Sequence, residues 1–348
     1  MSVDSEQLKK RIFMADILEQ SKELRKIWGG FQGARVLLTA NNYRVFDYLK
    51  KQKTAAGLAK DIGADKRATE ILLDALTGLG LLKKQKGQYK NSKIPSQFLV
   101  SGSPYYQGDI IRHADTLWQN WSGLDNVVKT GKPHHAAHDH RAFILGMHNL
   151  AVLKADKVLK AVGLKGVKKA LDLGGGPGTY TIEIAKKGIS VTIFDTPETI
   201  EIAKEVISKI PLNPPLPKGG RGGFERNFQK NINFLQGDFL TDDFGRGYDL
   251  IFISQILHAY SEDDNIMVFK KCRNALNKNG RIVIQEFFID KDRTHPVQAA
   301  LFSINMLANT SGGRCYSPEE IKRWYLKTGF RKIQKQLLAD SVLISAEK

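Results

Sequence analysis

The sequence has few cysteines and no long apolar run, and each shortage excludes a class of protein. Cys272 and Cys315 are the only cysteines among 348 residues, too few for a disulfide framework or a cysteine-based zinc site. So little cysteine is typical of a reducing compartment, and we expect a cytoplasmic protein. The apolar runs are far shorter than the ~20 residues of a membrane-spanning helix. The N-terminus mixes charges with apolar residues and lacks the uncharged core of a signal peptide.

Positive charge dominates, because 53 Lys and Arg residues against 36 Asp and Glu residues give a net charge of +17. Such an excess is compatible with nucleic acid, an acidic membrane surface or an anionic substrate as partner. The lysines are spread along the chain, and the KKQK runs at Lys50–Lys53 and Lys83–Lys86 lack an accompanying stripe of arginines and aromatics. We therefore interpret the excess as a solvated basic surface and do not expect nucleic acid as a partner.

Residues 55–91 have the pattern of two short helices followed by a hairpin. Thr54 is placed to cap a helix that ends at Gly63, and Asp65 is placed to cap a second helix. Two β-prone stretches around Gly87, at residues 81–84 and 88–91, predict a hairpin that completes a winged helix. The second helix is predicted to bury one face, formed by Ala68, Ile71, Leu72, Ala75, Leu76 and Leu79.

A winged helix either binds DNA through its second helix or serves as a protein–protein module. The basic residues of that helix, Lys66 and Arg67, both lie at its very start. This placement favours a dimerisation module, while DNA binding stays open as the alternative.

From residue 169 onward, short β-branched runs alternate with helical stretches. This alternation predicts an α/β domain with a parallel, doubly wound, Rossmann-like sheet. Residues 106–165 are predicted to be connecting helices, so that the chain divides into residues 1–105 and residues 106–348. The Pro- and Gly-rich segment Pro211–Gly223 is predicted to be a disordered surface insert. The predicted strands are KKALDL, ISVTIFD, INFLQ, YDLIFIS and GRIVIQE.

Three motifs after consecutive strands indicate a nucleoside ligand. The first, LDLGGGPGTY, has G-x-G-x-G spacing, whereas a dinucleotide site needs a third glycine where Thr179 stands. Asp195 ends the second strand, where a carboxylate accepts both hydroxyls of a ribose. Asp238 follows the third strand and is placed to accept from an adenine amine, with Phe239 against the ring. The residues of the first motif that we expect at the cofactor are Asp172, Gly174, Gly176 and Gly178.

With these motifs, the C-terminal half resembles the S-adenosylmethionine-dependent methyltransferases. Residues 30–345 resemble the plant-type O-methyltransferases, which include caffeate, hydroxyindole and polyketide O-methyltransferases. That family pairs a winged-helix dimerisation domain with a Rossmann-like catalytic domain. The resemblance implies a homodimer, S-adenosylmethionine as cofactor with S-adenosylhomocysteine as product, and a small hydroxylated acceptor, which we expect to be aromatic.

The resemblance also implies a catalytic pair. His258 lies in ISQILHAYSEDD after the fourth strand, where the family has its general base. Glu286 ends the next strand and matches the family's carboxylate that orients this histidine. Three positions depart from the family. Ala259 replaces a common aspartate, Cys315 replaces a second carboxylate, and Ser254 replaces a lysine near the adenosine, where we still expect a cofactor contact.

The substrate pocket is predicted from two helical segments, RAFILGMHNL and LFSINMLANT. Methionine and aromatic side chains suit a flat aromatic ligand. The expected lining residues are Phe143, Met147, Phe302, Asn305, Met306 and Asn309. A dense histidine run, His134, His135, His138 and His140, precedes this pocket, and we interpret it as a loop at the pocket mouth rather than a metal site.

Three alternative functions stay open from the sequence. A C-methyltransferase of a tetrapyrrole-like or polyketide ring has the same fold but needs an activated carbon rather than a base. A nucleic-acid methyltransferase is disfavoured because ISQI follows the fourth strand, while the only Asn-Pro-Pro stretch, at residues 213–215, lies in the insert. A non-catalytic sensor would use the winged helix to contact DNA.

Overall fold

The structure, a computed structural model, describes residues 3–210 and 228–348. They form two compact units, and the division falls between Arg112 and His113. The disordered insert predicted at Pro211–Gly223 lies outside the described residues. Within the described ranges, no helix is both long and apolar enough to cross a membrane.

The first unit is mostly helical and contains one small sheet, with the strand order β1-β3-β2. Local capping explains its helices. Thr54 Oγ1 accepts the Gly57 N–H, Asp65 Oδ1 accepts the Ala68 N–H, and Gly63 ends its helix in the left-handed conformation. The elements are α1 (Val3–Gly29), α2 (Phe31–Asn42), α3 (Val45–Tyr48), β1 (Lys53–Thr54), α4 (Ala55–Ile62), α5 (Lys66–Gly78), β2 (Leu82–Gln85), β3 (Gln88–Asn91) and α6 (Lys93–Phe98).

The buried face of α5 differs from the predicted one. Thr69, Leu73 and Leu76 are buried, whereas Ile71 and Leu79 are 53% and 49% exposed. The Thr69 hydroxyl donates to the Asp65 carbonyl at 2.7 Å, so this polar residue is satisfied inside the core. Counting aliphatic residues selected the neighbouring face, because such a count cannot recognise a buried threonine that bonds its own helix.

After the helix in which the division falls, the described part of the second unit has fifteen further helices and strands, and two short 3-10 turns at Phe228–Asn231 and Leu257–Ala259. The segment predicted as connecting helices contains four helices. The elements are α7 (Gly108–Trp121), α8 (Leu124–Thr130), α9 (His140–Ala151), α10 (Ala155–Val162), β4 (Lys169–Leu173), α11 (Thr179–Ala185), β5 (Ser190–Asp195), α12 (Pro197–Ser208), β6 (Ile232–Gln236), β7 (Tyr248–Ser254), α13 (Glu262–Ala275), β8 (Leu276–Glu286), α14 (Val297–Asn309), α15 (Pro318–Lys327), β9 (Arg331–Leu337) and β10 (Val342–Glu347). The later subsections refer mainly to α9, α11, α14 and the strands.

The second unit is built on a sheet with the strand order β6-β5-β4-β7-β8-β10-β9. The first five strands are parallel, as predicted, and the Rossmann-like α/β class is confirmed. Consecutive residues along a strand pack into two different cores, since Ile193 and Phe252 belong to one hydrophobic cluster and Phe194 and Ile253 to the other. Burial on both faces is the reason β4, β5 and β7 have nearly continuous apolar sequences, whereas β6 is the last strand at one side of the sheet and is largely exposed.

Two C-terminal strands were not predicted, and they make the sheet mixed. β10 pairs antiparallel with both β8 and β9. β9 has the sequence RKIQKQL and is largely exposed at the edge of the sheet. An edge strand with charged residues lacks the apolar alternation by which strands are recognised, and this composition also discourages pairing with other chains.

Candidate active site

The glycine loop after β4 has its three alternate glycines in the left-handed conformation. The φ angles of Gly174, Gly176 and Gly178 are 69°, 54° and 75°, which explains the G-x-G-x-G spacing. The Gly174 N–H donates to the Phe194 carbonyl at 2.9 Å, and the Gly176 N–H donates to Asp195 Oδ2 at 2.9 Å. The loop therefore folds over the end of β5, and two of the sequence motifs meet directly.

The same loop also touches the turn that follows β7. A Cβ atom on Gly174 would lie 2.5 Å from Ile256 Cδ1, so the Ile256 side chain would have to shift to accept it. Gly174 is thus favoured by its backbone angle, and its lack of a side chain permits this close approach. Ile256 lies two residues before His258, so the predicted cofactor motif and the predicted catalytic motif are neighbours.

Asp172 supports the loop from a buried position. It is 1% exposed, and Thr181 Oγ1 donates to its Oδ2 at 2.6 Å. Burial raises the pKa of Asp172 to about 6, and the negative charge of Asp195 adds to the shift. A Cβ atom on Gly175 would lie 3.0 Å from this carboxyl group, so Asp172 packs directly against the loop.

Asp195 is the last residue of β5, and Asp238 and Phe239 follow the neighbouring parallel strand β6. Burial raises the pKa of Asp195, while backbone N–H bonds from Gly176 and Thr196 oppose that shift. Each carboxylate oxygen has two lone pairs, so Asp195 keeps acceptor capacity for a ligand.

Asp238 is exposed and organises a tight turn after β6. Its Oδ1 accepts the Leu240 N–H at 2.8 Å, and Lys271 Nζ donates to the Phe239 carbonyl at 2.6 Å. The buried Phe239 ring lies edge-on to Tyr260, with centroids 5.0 Å apart. Tyr260 follows His258 by two residues, so this motif also lies beside the turn that carries His258.

His258 and Glu286 form a buried pair at the carboxyl ends of β7 and β8, on the same side of the sheet as the glycine loop. His258 Nδ1 lies 2.8 Å from Glu286 Oε2, and the Leu257 N–H donates to Glu286 Oε1 at 2.7 Å. The exposed fractions of the two residues are 9% and 3%. The two oxygens of the Glu286 carboxylate thus hold the turn at Leu257 and His258. Because Nδ1 of His258 faces Glu286, Nε2 is the ring nitrogen that can contact a bound substrate.

Two phenylalanines wall the imidazole. The Phe302 ring stands perpendicular to the His258 ring with centroids 4.9 Å apart, and the Phe287 ring is 5.7 Å away. The two phenylalanine rings lie 4.4 Å from each other. Phe302 was predicted as a pocket residue, but Phe287 was not, although its place directly after Glu286 was a usable signal. The imidazole of His258 therefore faces flat apolar surfaces.

Two departures from the family pattern have a clear structural setting. Cys315 is 2% exposed, and burial raises its pKa to about 11, with the Glu286 charge adding to the effect. The thiol is therefore neutral, and Cys315 does not supply the second carboxylate of the family. Glu286 is the carboxylate that lies beside His258. A Cβ atom on Gly313 would lie 2.2 Å from the His258 carbonyl oxygen. The glycine therefore allows its segment to pack directly against the backbone of His258 and Ala259.

The residues at the end of β7 include one that sequence reasoning missed. The Ser254 hydroxyl, expected at the cofactor, donates to Gln285 Oε1 at 2.9 Å. Gln255 has a left-handed backbone with φ 61°, and neither polar atom of its buried amide has a hydrogen-bond partner among the described residues. Strained non-glycine residues and unpartnered buried amides gather at functional sites. No sequence pattern marks such a residue.

The two asparagines predicted as pocket residues make hydrogen bonds with α7. Asn305 Oδ1 accepts from Trp121 Nε1 at 2.9 Å, and Asn309 Oδ1 accepts from Asn120 Nδ2 at 2.7 Å. Met306, on the same helix α14, is 7% exposed. These bonds hold α14, which carries Phe302, firmly beside the imidazole.

The other predicted pocket residues, Phe143 and Met147, lie on α9. The Phe143 ring is 37% exposed and packs 5.0 Å from the His113 ring, while Met147 is partly buried. His140, the last residue of the histidine run, lies 3.1 Å from Thr199 Oγ1 through its Nε2 atom. Since Thr199 bonds Thr196 next to Asp195, α9 borders the cofactor motif.

The remainder of the histidine run follows α8 and is anchored by its backbone. The His134 N–H donates to the Ala308 carbonyl at 2.9 Å. Among the described residues, no three His, Cys, Asp or Glu side chains converge as ligands for a metal ion.

Comparison with known proteins places this arrangement in a family. Residues 106–331 match the model of the O-methyltransferase domain, and residues 26–101 match that of the O-methyltransferase dimerisation domain. The chain belongs to the O-methyltransferase family. The resemblance to the plant-type and hydroxyindole enzymes is thereby confirmed.

Among the relatives of this O-methyltransferase, 3-hydroxy-5-methyl-1-naphthoate 3-O-methyltransferase from Streptomyces sahachiroi is 31% identical over 79% of this chain and 79% of that protein. Acetylserotonin O-methyltransferase from Mus musculus is 28% identical over 88% of this chain and 82% of its own length. The solved structure of human N-acetylserotonin methyltransferase in complex with S-adenosylmethionine superposes with a TM-score of 0.82 at 25% identity, covering 94% and 97% of the two chains.

Proposed function

We propose that this O-methyltransferase transfers the methyl group of S-adenosylmethionine to a hydroxyl group of a small aromatic molecule, with His258 as the general base. One observation carries the proposal. A buried imidazole, bonded at 2.8 Å to Glu286, lies beside Phe302 at the sheet edge where the glycine loop and Asp195 also lie. The two named relatives methylate a naphthoate and acetylserotonin, which supports an aromatic acceptor.

The residues at this edge fit S-adenosylmethionine. Asp195 has acceptor capacity for the ribose hydroxyls, and Asp238 with Phe239 is placed for the adenine. We expect the three glycines and Ser254 to contact the methionyl part, with Asp172 supporting the loop from its buried position. The unpartnered amide of Gln255 would offer a further contact. When bound, the sulfonium supplies an electrophilic methyl group. Thr179 in place of a third glycine disfavours a pyrophosphate at this loop.

The catalytic work of the chain is to prepare the oxygen nucleophile. His258 Nε2 accepts the proton of the hydroxyl group, while Glu286 holds the Nδ1 proton and stabilises the imidazolium that forms. A base positioned in this way contributes about 10²- to 10⁴-fold to the rate. Phe302 and Phe287 bind the flat ring and exclude water, which strengthens the histidine–glutamate interaction.

We infer that the acceptor pocket extends from Phe302 along α14 to Met306, Asn305 and Asn309, and across to Phe143 and Met147 on α9. Methionine and aromatic side chains adapt to flat rings of different outline. The asparagine side chains are already bonded to α7, so their role is to set the position of the α14 wall.

We also infer that the protein is a cytoplasmic homodimer. A stripe of large apolar side chains is exposed on α1 and the start of α2, including Phe13, Ile17, Leu24, Trp28 and Phe31. Exposed apolar surface of this kind marks a protein–protein interface. Both cysteines are free and buried, which fits a reducing compartment.

The proposal is tested with S-adenosylmethionine that carries a ¹³C-labelled methyl group. The enzyme is incubated with a panel of hydroxylated naphthoates, indoles and phenols, and in separate reactions with RNA and with DNA, and NMR locates the label in each product. We expect a methoxy signal from at least one hydroxylated aromatic and none from its O-blocked analogue. A label found on carbon would replace the proposal with C-methylation, and a label found on RNA or DNA would replace it with nucleic-acid methylation.

A further inference from the structure

A buried hydrogen-bond network joins the helix after the glycine loop to the turn that carries His258. Its centre is Gln285, the next-to-last residue of β8, which is 0% exposed. Gln285 Oε1 accepts from the Tyr180 hydroxyl and from the Ser254 hydroxyl, both at 2.9 Å. Gln285 Nε2 donates to Ser341 Oγ at 3.3 Å. One amide thus connects α11, the end of β7 and the residue before β10.

The backbone of Gln285 holds the same turn. Its carbonyl accepts the Gln255 N–H at 2.9 Å, and the next residue, Glu286, accepts from Leu257 and lies at 2.8 Å from His258. Gln255 is the residue with the left-handed φ of 61°. A non-glycine residue keeps such a conformation only where its surroundings enforce it, and here two consecutive residues of β8 supply the bonds.

The chemistry of the network favours a specific geometry. Burial raises the pKa of Tyr180 to about 12, so its phenol stays protonated and donates to the amide. The Tyr180 ring packs edge-on to Phe252 at 5.1 Å. The residues before Gln285 on β8, Ile282 to Ile284, are aliphatic and buried. A glutamine at this place gives up apolar packing, and the bonds that its Oε1 atom accepts from Tyr180 and Ser254 fix one arrangement.

We propose that Gln285 is a positioning residue, which fixes the turn from Ser254 to His258 against the glycine loop and so aligns the imidazole with the methyl donor. The inference rests on the function proposed for His258. The Ile256 side chain packs against Gly174, so the position of the turn and the position of the cofactor loop depend on each other. Without the amide of Gln285, the turn loses the bond to Ser254 and the link to α11, and the imidazole shifts. A misplacement of about 1 Å lowers a rate about 10²-fold.

The test compares Gln285→Leu with Ser341→Ala as the matched control. Both variants remove a hydrogen bond of the same amide network, but Ser341→Ala leaves the bonds to Tyr180 and Ser254 intact. Three experiments are made: steady-state kinetics with an accepted aromatic hydroxyl compound give kcat and KM, calorimetry gives the affinity for S-adenosylhomocysteine, and ¹⁵N NMR gives the tautomer of His258.

For Gln285→Leu we expect kcat to fall about 10- to 100-fold while KM for the acceptor changes less than about threefold. We expect weaker binding of S-adenosylhomocysteine and a mixture of His258 tautomers in place of the single Nδ1–H form. Ser341→Ala keeps the wild-type values of all three. Tyr180→Phe removes one hydrogen-bond donor and keeps the Gln285 amide, and it is expected to lower kcat severalfold. It replaces Gln285→Leu as the test variant if Gln285→Leu does not fold.

Wild-type kcat and a single tautomer in Gln285→Leu would overturn the inference. So would equal losses in Gln285→Leu and Ser341→Ala, because these would reflect general stability alone. If Tyr180→Phe is the variant that folds, wild-type kcat there overturns it equally. Failure of the proposed function gives a different pattern, in which the wild-type protein does not bind S-adenosylhomocysteine or His258→Ala retains the full rate.

Discussion

The carboxylate of Asp195 and the backbone N–H of Gly176 are joined by a hydrogen bond of 2.9 Å. The glycine loop is thereby tied to the residue proposed to bind ribose, and the loop and the ribose site form one unit. A ligand that occupies this site meets a carboxylate already oriented by two backbone N–H groups, from Gly176 and Thr196. Preorganisation of this kind lowers the entropy lost on binding.

Asp195→Ala is expected to weaken the binding of S-adenosylmethionine and S-adenosylhomocysteine by at least about tenfold, because it removes a charged acceptor for two hydroxyls. Calorimetry measures both affinities, with NAD as the control ligand that we expect the wild-type protein not to bind. Asp156→Ala, at an exposed position on α10, is the matched control and keeps full affinity. Unchanged affinity in Asp195→Ala would remove the ribose assignment.

Glu286→Gln is expected to lower kcat about 10²-fold, because an uncharged amide neither fixes the His258 tautomer nor stabilises the imidazolium. The amide oxygen still accepts the Leu257 N–H, so the turn is kept and cofactor affinity changes little. Steady-state kinetics and calorimetry separate the two effects. Glu319→Gln, at an exposed carboxylate on α15, provides the comparison. Equal kcat values in the two variants would show that Glu286 has no part in catalysis.

Asp172→Asn is expected to stabilise the protein at high pH. The pKa of Asp172 is raised to about 6 by burial, so the folded state binds a proton more tightly than the unfolded state. The free energy of unfolding therefore falls as the pH rises from about 4 to about 6 and stays lower above that range. Asparagine does not ionise, so Asp172→Asn abolishes this fall in the free energy of unfolding. Urea unfolding of variant and wild type should show a relative gain of about 1–3 kcal/mol between pH 4.5 and pH 8. A difference that does not depend on pH would contradict the buried-charge account.

Glu320 on α15 stabilises the fold with the opposite pH dependence. Burial alone would raise its pKa, but Arg314 at 2.8 Å and the Ser317 N–H at 2.8 Å lower it to about 2. Its contribution is fully present above about pH 4.5 and is lost as the pH falls through 2. Glu320→Gln should reduce the free energy of unfolding at pH 7 by about 1–3 kcal/mol, an amount discounted because the side chains of its other partners, Arg293 and Arg323, are 53% and 69% exposed. The deficit should shrink in urea unfolding below pH 4.5, whereas Glu319→Gln changes stability by less than about 0.5 kcal/mol. A deficit that stays constant to pH 2 would contradict the assignment.

Much of the fold follows from local sequence chemistry. Thr54 and Asp65 cap their helices as predicted, because a side-chain oxygen at these positions has an obvious partner two or three residues on. The parallel strands β4, β5 and β7 were recognisable because burial on both faces selects continuous apolar and β-branched runs. The G-x-G-x-G spacing was equally informative, since each of the alternate glycines takes a positive φ.

What the sequence did not reveal depends on contacts between distant residues. The polar strand β9 exists because β10 offers it an edge, and nothing in RKIQKQL indicates this. The strain at Gln255 and the buried bonds of Gln285 require β7, β8 and α11 to be brought together. The roles of Asn305 and Asn309 were equally hidden, because their partners on α7 lie more than 180 residues earlier.

The central claim is that His258 removes the proton of the acceptor hydroxyl, and the most direct measurement is the single-turnover rate of methyl transfer in His258→Ala. Enzyme saturated with S-adenosylmethionine is mixed with an accepted aromatic hydroxyl compound, and the methylated product is followed with time. We expect the rate to fall at least about tenfold relative to wild type, with cofactor affinity nearly unchanged. Equal rates in His258→Ala and wild type would contradict the account and remove His258 as the base.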